Sequence, residues 1–407
     1  MPTLVLPTPK VSRSASASRT RWYRFYAMFS EEFAQNVLQE ANLPPESTVL
    51  DPWLGVGTST CAAAKLGHRA VGVDINPVMT TLARARCVSR PEALSALAEA
   101  ATAVAVTEGA IQDDDPLNDW FRPSASRAIR NWQNAAAEVG ARRSAAAEGF
   151  VLASVFEAAW QLARGYRSKN PTWTKVPLRS GRANDRRNVF SRRVLSCGSA
   201  KAELCEERPL KHAPEISVGN SKNLELGDAS VDFILTSPPY CTRIDYAVAT
   251  RMELAILGSS SPAVATLRHA TMGTSTVRRD IAAPQASWGA TCNAFIANVR
   301  NHKSKASQSY YYKMYLQYFD DLRRSLNELN RVLRPGGRAV IVVQDSYYKG
   351  IHTDLAQIVT EMGNGVGWTK IRIDIFPIQR SMRCVNTRSR RYRQDPSSAE
   401  SVLWFEK

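Results

Sequence analysis

Two short stretches place residues in patterns that can do chemistry. In the first, Asp51-Pro-Trp53-Leu-Gly55-Val-Gly57-Thr58 follows an apolar run at residues 48–50, and Asp74 closes a second apolar run at residues 69–73. Glycines at 55 and 57 allow the backbone to approach a ligand closely, and an acid at the second strand end can accept both hydroxyls of a ribose. This is chemistry for a nucleoside-bearing cofactor. There is no third glycine and no Gly-Lys-Ser/Thr, so a dinucleotide or triphosphate fits poorly. A tight turn with no ligand is the competing reading, and the spacing of Asp74 weighs against it.

The second stretch is Asp232-Phe-Ile-Leu-Thr-Ser237-Pro238-Pro239-Tyr240, an apolar run that passes straight into two prolines and an aromatic. Prolines carry no N–H and stiffen the turn, so the Ser237 side chain and the Pro238 carbonyl become fixed acceptors at the carboxyl end of a strand. Paired acceptors suit an amine. Tyr240 adds a flat face on which a planar ring can stack. A rigid loop without function is the plain alternative.

The elements around these stretches follow from periodicity. Strand, glycine turn and helix at residues 48–66, then strand and helix at 69–88, form a βαβα pattern that argues for a parallel sheet. An amphipathic helix capped at Ser30 precedes them. Residues 91–164 have Ala-rich helical spacing and predict two or three helices as an insertion. Strands are expected again at 215–220, 231–236, 338–344, 371–377 and 401–406, with helices at 310–333 and 354–362.

The 407 residues carry 53 Lys plus Arg against 37 Asp plus Glu, a net charge of +16 that points to a polyanionic partner. Residues 165–211 hold twelve basic and four acidic side chains, half of that excess. Seven scattered cysteines without a Cys-x-x-Cys pair, and five histidines without ligand spacing, suggest neither a disulfide framework nor a metal site. No apolar stretch is long enough for a membrane span, and a cytosolic protein is expected.

The three motifs, residues 51–58, Gly72-Val-Asp74 and Thr236-Ser-Pro-Pro-Tyr240, together resemble the signature of S-adenosylmethionine-dependent DNA amino-methyltransferases. They are most similar to the Ser-Pro-Pro-Tyr subgroup, which methylates the exocyclic N4 of cytosine. The resemblance covers residues 21–86 and 215–407. It implies an α/β fold: a Rossmann-like seven-stranded methyltransferase sheet, last strand antiparallel, interrupted by a helical and basic insertion. The expected organisation is a disordered basic tail at 1–20, a first catalytic part at 21–90, an insertion at 91–214 that is a candidate for target recognition, and a second catalytic part at 215–407.

The resemblance also implies roles. Asp51, Gly55, Gly57 and Thr58 would hold the methionine part of S-adenosylmethionine, with Trp53 where the family usually has Phe. Phe29, in Ala27-Met-Phe-Ser30, would close over that group, Asp74 would bind the ribose, and Asn220 and Ser221 would lie by the adenine. Ser237, Pro238, Pro239 and Tyr240 would be catalytic, acting on a nucleotide flipped out of double-stranded DNA. Arg167, Lys169, Trp173 and Lys175 in the basic stretch, Arg243 after the motif, and Arg388, Arg390 and Arg391 near the end are the candidate nucleic-acid contacts, because cations bind phosphates and aromatics stack on bases. Three alternatives stay open: N6 of adenine in DNA, a base amine in RNA, or a non-catalytic subunit of a restriction or phage-defence complex. A partner protein of such a complex is compatible with each reading on DNA.

Overall fold

The computed structural model describes residues 6–10, 23, 28–106, 111–166, 174–242, 244–377 and 399–407. Ser30 caps α1 (Glu31–Ala41) by accepting the Phe33 amide, and the chain continues through β1 (Thr48–Asp51), α2 (Thr58–Lys65), β2 (Arg69–Asp74) and α3 (Pro77–Ala85). The insertion then supplies α4 (Arg90–Val106), α5 (Pro123–Arg142), α6 (Ala145–Leu162) and α7 (Arg187–Ala202). After β3 (Glu215–Val218) and β4 (Val231–Thr236) come three helices, α8 (Tyr246–Ala249), α9 (Arg251–Ile256) and α10 (Ser261–Ala270). They are followed by α11 (Ala290–Asn301), α12 (Tyr312–Val332) and β5 (Leu333–Gln344). A small hairpin, β6 (Ser346–Tyr348) with β7 (Ile351–Thr353), leads to α13 (Leu355–Asn364), β8 (Thr369–Pro377) and β9 (Ala399–Glu406).

Seven strands form one sheet in the order β3-β2-β1-β4-β5-β9-β8. All neighbours from β3 to β5 are parallel, and β9 slots antiparallel between β5 and β8. This is the expected Rossmann-like sheet with its antiparallel last strand. The order turns back at β1 and β4, and the crevice at the carboxyl ends of such a pair is where open α/β sheets take ligands. One face of the sheet is covered by α1 and α2, through Phe33, Val37, Val49, Phe233 and Val340; the other is covered by α11, α12 and α13.

The packing adds two features that the sequence did not show. The insertion helices share a single apolar core with α3 and α9, including Met79, Leu82, Trp132, Phe150, Met252 and Leu254. At Gly149 of α6 a Cβ would stand 2.7 Å from the Thr81 carbonyl, so only glycine lets α6 lie this close to α3. The helical insertion is therefore fused to the catalytic sheet. Near the start of the chain, residues 6–10 pack as structure where a disordered tail was expected. Leu6 is buried, Lys10 bridges to Phe29, and the Pro9 carbonyl accepts the Ser30 amide at 2.7 Å.

Among the described residues, no helix is long and apolar enough to cross a membrane.

Candidate active site

The carboxyl ends of β1, β2, β3 and β4 open onto a cleft of about 760 Å³, counted to its mouth. From the glycine turn it is lined by Trp53 and Gly55, from β2 by Asp74, after β3 by Asn220 and Ser221, and after β4 by Ser237, Pro238 and Pro239. Four turns and strand ends that are remote in sequence thus converge where the strand order reverses.

The glycine turn is braced from three sides. Asp74 accepts the Gly55 amide at 2.8 Å through Oδ2 and the Asn76 amide at 2.9 Å through Oδ1. Gly57 stands at φ +77° and begins α2; a Cβ there would lie 2.8 Å from that of Ala83, so glycine answers both a left-handed backbone and the close approach of α3. From behind, buried Arg86 donates to the Val56 carbonyl at 2.7 Å and to the Thr58 hydroxyl at 3.2 Å, and pairs with Glu31 at 3.3 Å.

Asp51 is placed differently from the cofactor contact expected of it. Its carboxylate is 3 % exposed and faces away from the cleft, where it accepts the hydroxyls of Ser59 and, at 2.6 Å, Thr236, as well as the Trp53 amide at 3.1 Å. It ties the turn after β1 to the end of β4 and to α2. Gly57, Thr58 and Phe29 likewise form the wall behind the cleft and do not line it; Phe29 packs on Phe33 at 5.5 Å. Burial pushes Asp51 up to about 6, against the pull of its three donors, and pushes Asp74 up to about 7. No cation is paired with either group among the described residues.

Asp74 is the expected acid at the second strand end, open to the cleft and with lone pairs left over. It fits a ligand that brings hydroxyl donors and positive charge, as the ribose and sulfonium of S-adenosylmethionine do. Deeper in the cleft, Ser221 shares a hydrogen bond of 2.9 Å with Ser325, and Asp321 is held by Lys222 at 2.7 Å and Arg278 at 3.0 Å. Asp321 and Ser325 come from α12, and Thr271 and Met272 from the segment after α10. Sequence reasoning missed these four, because they reach the cleft from folds of the chain that carry no local motif.

The turn after β4 is rigidly held with two acceptors free. Tyr318 donates to the Pro239 carbonyl at 2.8 Å, and Ser346 donates to the Cys241 carbonyl at 2.9 Å. Ser237 gives its proton to the Val342 carbonyl at 2.9 Å, which leaves its oxygen lone pairs available. Pro238 accepts no hydrogen bond from any described residue, and both residues line the cleft. Tyr240 is half-buried beyond the cleft wall, with burial pushing its phenol well up. Cys241 is buried, and burial likewise raises its thiol, so it is inert as a nucleophile.

Of the nucleic-acid contacts expected, Lys175 is exposed. Arg167, Lys169, Trp173, Arg243, Arg388, Arg390 and Arg391 lie outside the described residues. Two cations of the basic stretch do not face solvent freely: Lys201 is buried in the insertion core and Arg193 pairs with Asp185 at 2.8 Å. Asp245, next to Arg243, caps α8 and pairs with Arg268 at 2.8 Å.

Residues 231–407 match a family model described as DNA methylase, of the N6/N4 type. The chain is 23% identical over 394 residues to the Type II methyltransferase M.BsoBI of Geobacillus stearothermophilus, covering 84% of this chain and 70% of that protein. Among solved structures it is distantly similar to a SAM-dependent methyltransferase of Methanosarcina mazei (TM-score 0.33, 10% identity, 91% of this chain and 96% of that one). A second is the rRNA methyltransferase aviRa of Streptomyces viridochromogenes (TM-score 0.28, 11% identity, 93% and 86%). The match over the second catalytic part includes the whole Ser-Pro-Pro-Tyr turn, and the M.BsoBI alignment extends across most of the chain. Over its second part the chain is thus similar to the DNA methylases of the N6/N4 type, and over most of its length to a Type II methyltransferase.

Proposed function

We propose that this chain is an S-adenosylmethionine-dependent DNA amino-methyltransferase that acts on N4 of cytosine in a nucleotide swung out of the double helix. The observation that carries the reading is the pair of acceptors on consecutive residues, the Ser237 oxygen and the Pro238 carbonyl, in the lining of the cleft.

An exocyclic amine is a poor nucleophile because its lone pair is delocalised into the ring. Acceptors that bind its two hydrogens draw the nitrogen toward tetrahedral geometry and localise that pair. S-adenosylmethionine, when bound, supplies a methyl group on a positively charged sulfur. Asp74 would hold its ribose, the turn at Trp53 and Gly55 its methionine part, and Asn220 and Ser221 its adenine. The chain's own contribution is to fix the amine in line and to exclude water, which are the main sources of rate where reacting groups need chiefly to be held. No nucleophilic side chain is required, in keeping with the buried Cys241.

A serine at 237 supports cytosine over adenine, because aspartate at this position is the commoner partner of adenine N6. Tyr240 lies next to the acceptors and offers the face on which the displaced base stacks, against an unpairing cost of a few kcal/mol. The basic surface supplies phosphate contacts, Lys175 among them.

Incubation with labelled S-adenosylmethionine and either unmethylated genomic DNA or total RNA tests the substrate class. Label in DNA supports the reading, and label in RNA alone overturns it.

A further inference from the structure

Because β9 runs antiparallel to β5, its first residues meet the last residues of β5: Glu400 pairs with Gln344, and the Ala399 carbonyl accepts the Asp345 amide at 3.0 Å. Glu400 therefore stands on the same rim of the sheet as the Ser-Pro-Pro-Tyr turn, which leaves the neighbouring strand β4. Side chains alternate along β9, so Glu400 shares a face with Val402 and Trp404, the face that also holds Leu6, Phe29 and Phe33. It is 7 % exposed, and its Oε2 is buried with no hydrogen-bond partner. Two groups act on it electrostatically: Lys10, from the segment that bridges to Phe29, and the Tyr240 phenol. A buried carboxyl oxygen without a hydrogen-bond partner costs about 1–3 kcal/mol, and a functional role is one reason for a fold to keep such an orphan. The transfer mechanism above makes no use of it.

We propose that Glu400 is a specificity-determining contact of the target base, its carboxyl group donating a hydrogen bond to the ring nitrogen that flanks the acceptor amine. The inference rests on the reading that the base enters beside Tyr240. Cytosine has an unprotonated N3 next to its amine, and adenine has N1 in the same relation. Thymine carries N–H at that ring position, so donor would meet donor, and the contact separates amino bases from a keto pyrimidine. Burial favours the protonated, donating carboxyl: it pushes Glu400 up to about 7, with Lys10 opposing. The proton is shared and is not transferred.

The test compares the full-length protein with Glu400→Leu and Glu400→Gln on an oligonucleotide duplex carrying the enzyme's own methylation site. The target is either cytosine or 3-deazacytosine, in which C–H replaces the ring nitrogen; if adenine is the target, the analogue is 1-deazaadenine. The cofactor-induced rise in Tm, expected to be unchanged, confirms folding of each variant. Glu400→Leu is expected to lose about 10- to 100-fold in kcat/KM on the natural base. Glu400→Gln, whose amide still donates, should retain most activity and lack the decline above about pH 7 that is expected of the wild type. The deaza base should cost the wild type the same factor and the Leu variant nothing further. Independent, multiplying losses for variant and analogue, or a Gln variant as impaired as Leu, overturn the proposal while the functional reading stands. A wild type that transfers no methyl to DNA overturns both.

Discussion

The hydroxyl of Ser237 donates to the carbonyl of Val342, 2.9 Å away on the adjacent strand, so that β5 aims the serine oxygen of β4 at the cleft. The bond orients an acceptor that would otherwise rotate. Ser237→Ala removes that acceptor and leaves the cofactor's wall in place. Methyl transfer is expected to fall on the order of 10²-fold, with the S-adenosylmethionine-induced Tm rise retained. An unimpaired rate would remove Ser237 from the chemistry.

Asp74 links cofactor binding to pH. Its carboxyl is raised to about 7 from an ordinary 3.8, so between those values the folded chain keeps a proton that the unfolded chain has released. Asp74 therefore withdraws stability from the cofactor-free protein as pH rises through that window. A bound ribose needs the ionised form, so affinity should drop about tenfold per pH unit below about 7. Titration calorimetry between pH 5.5 and 8 checks this, and a flat profile would contradict it. Asp74→Ala should weaken binding roughly 10- to 100-fold and abolish the pH dependence.

Gly57 is a backbone requirement. Alanine there must adopt φ +77° and place its Cβ 2.8 Å from that of Ala83. The two costs, about 1–2 kcal/mol for the left-handed backbone and about 1–3 kcal/mol for overpacking, should appear as a lower urea midpoint for Gly57→Ala at unchanged slope.

Arg86 acts on the same turn from inside the protein. Arg86→Leu leaves the Val56 carbonyl and Thr58 without their donor, while Glu31 keeps Lys65. A loss of about 3 kcal/mol in stability together with weaker cofactor binding is expected, read by denaturation and by Tm shift. A Tm shift on S-adenosylmethionine equal to the wild type's would show that the turn holds its shape without Arg86.

Asp74 and Ser237 line the cleft as the sequence suggested because each stands at the end of an apolar strand and leads into a distinctive turn, so a linear motif coincides with a place in the sheet. Asp51 belongs to the same motif, yet its carboxylate is buried and does not line the cleft. Three donors, two of them hydroxyls from Ser59 and Thr236, saturate it, and only folding brings Thr236 within reach. Asp321 and Ser325 were illegible for a related reason: they sit on an amphipathic helix whose pattern reports burial and not what the buried face meets. Arg86 carries no sequence signal of its role, although it is among the largest fully buried side chains. The insertion's first three helices, α4, α5 and α6, were foreseen from their periodicity, whereas α7 lies in the basic stretch where no helix was expected. Their fusion to α3 depends on Gly149, and a single glycine within a helical run does not announce its partner.

The central claim is best tested by nucleoside mass spectrometry of DNA methylated by the wild type and by Ser237→Ala. The account predicts N4-methylcytosine from the wild type and nearly none from the variant. N6-methyladenine as the sole product, or N4-methylcytosine made equally well without Ser237, would contradict it.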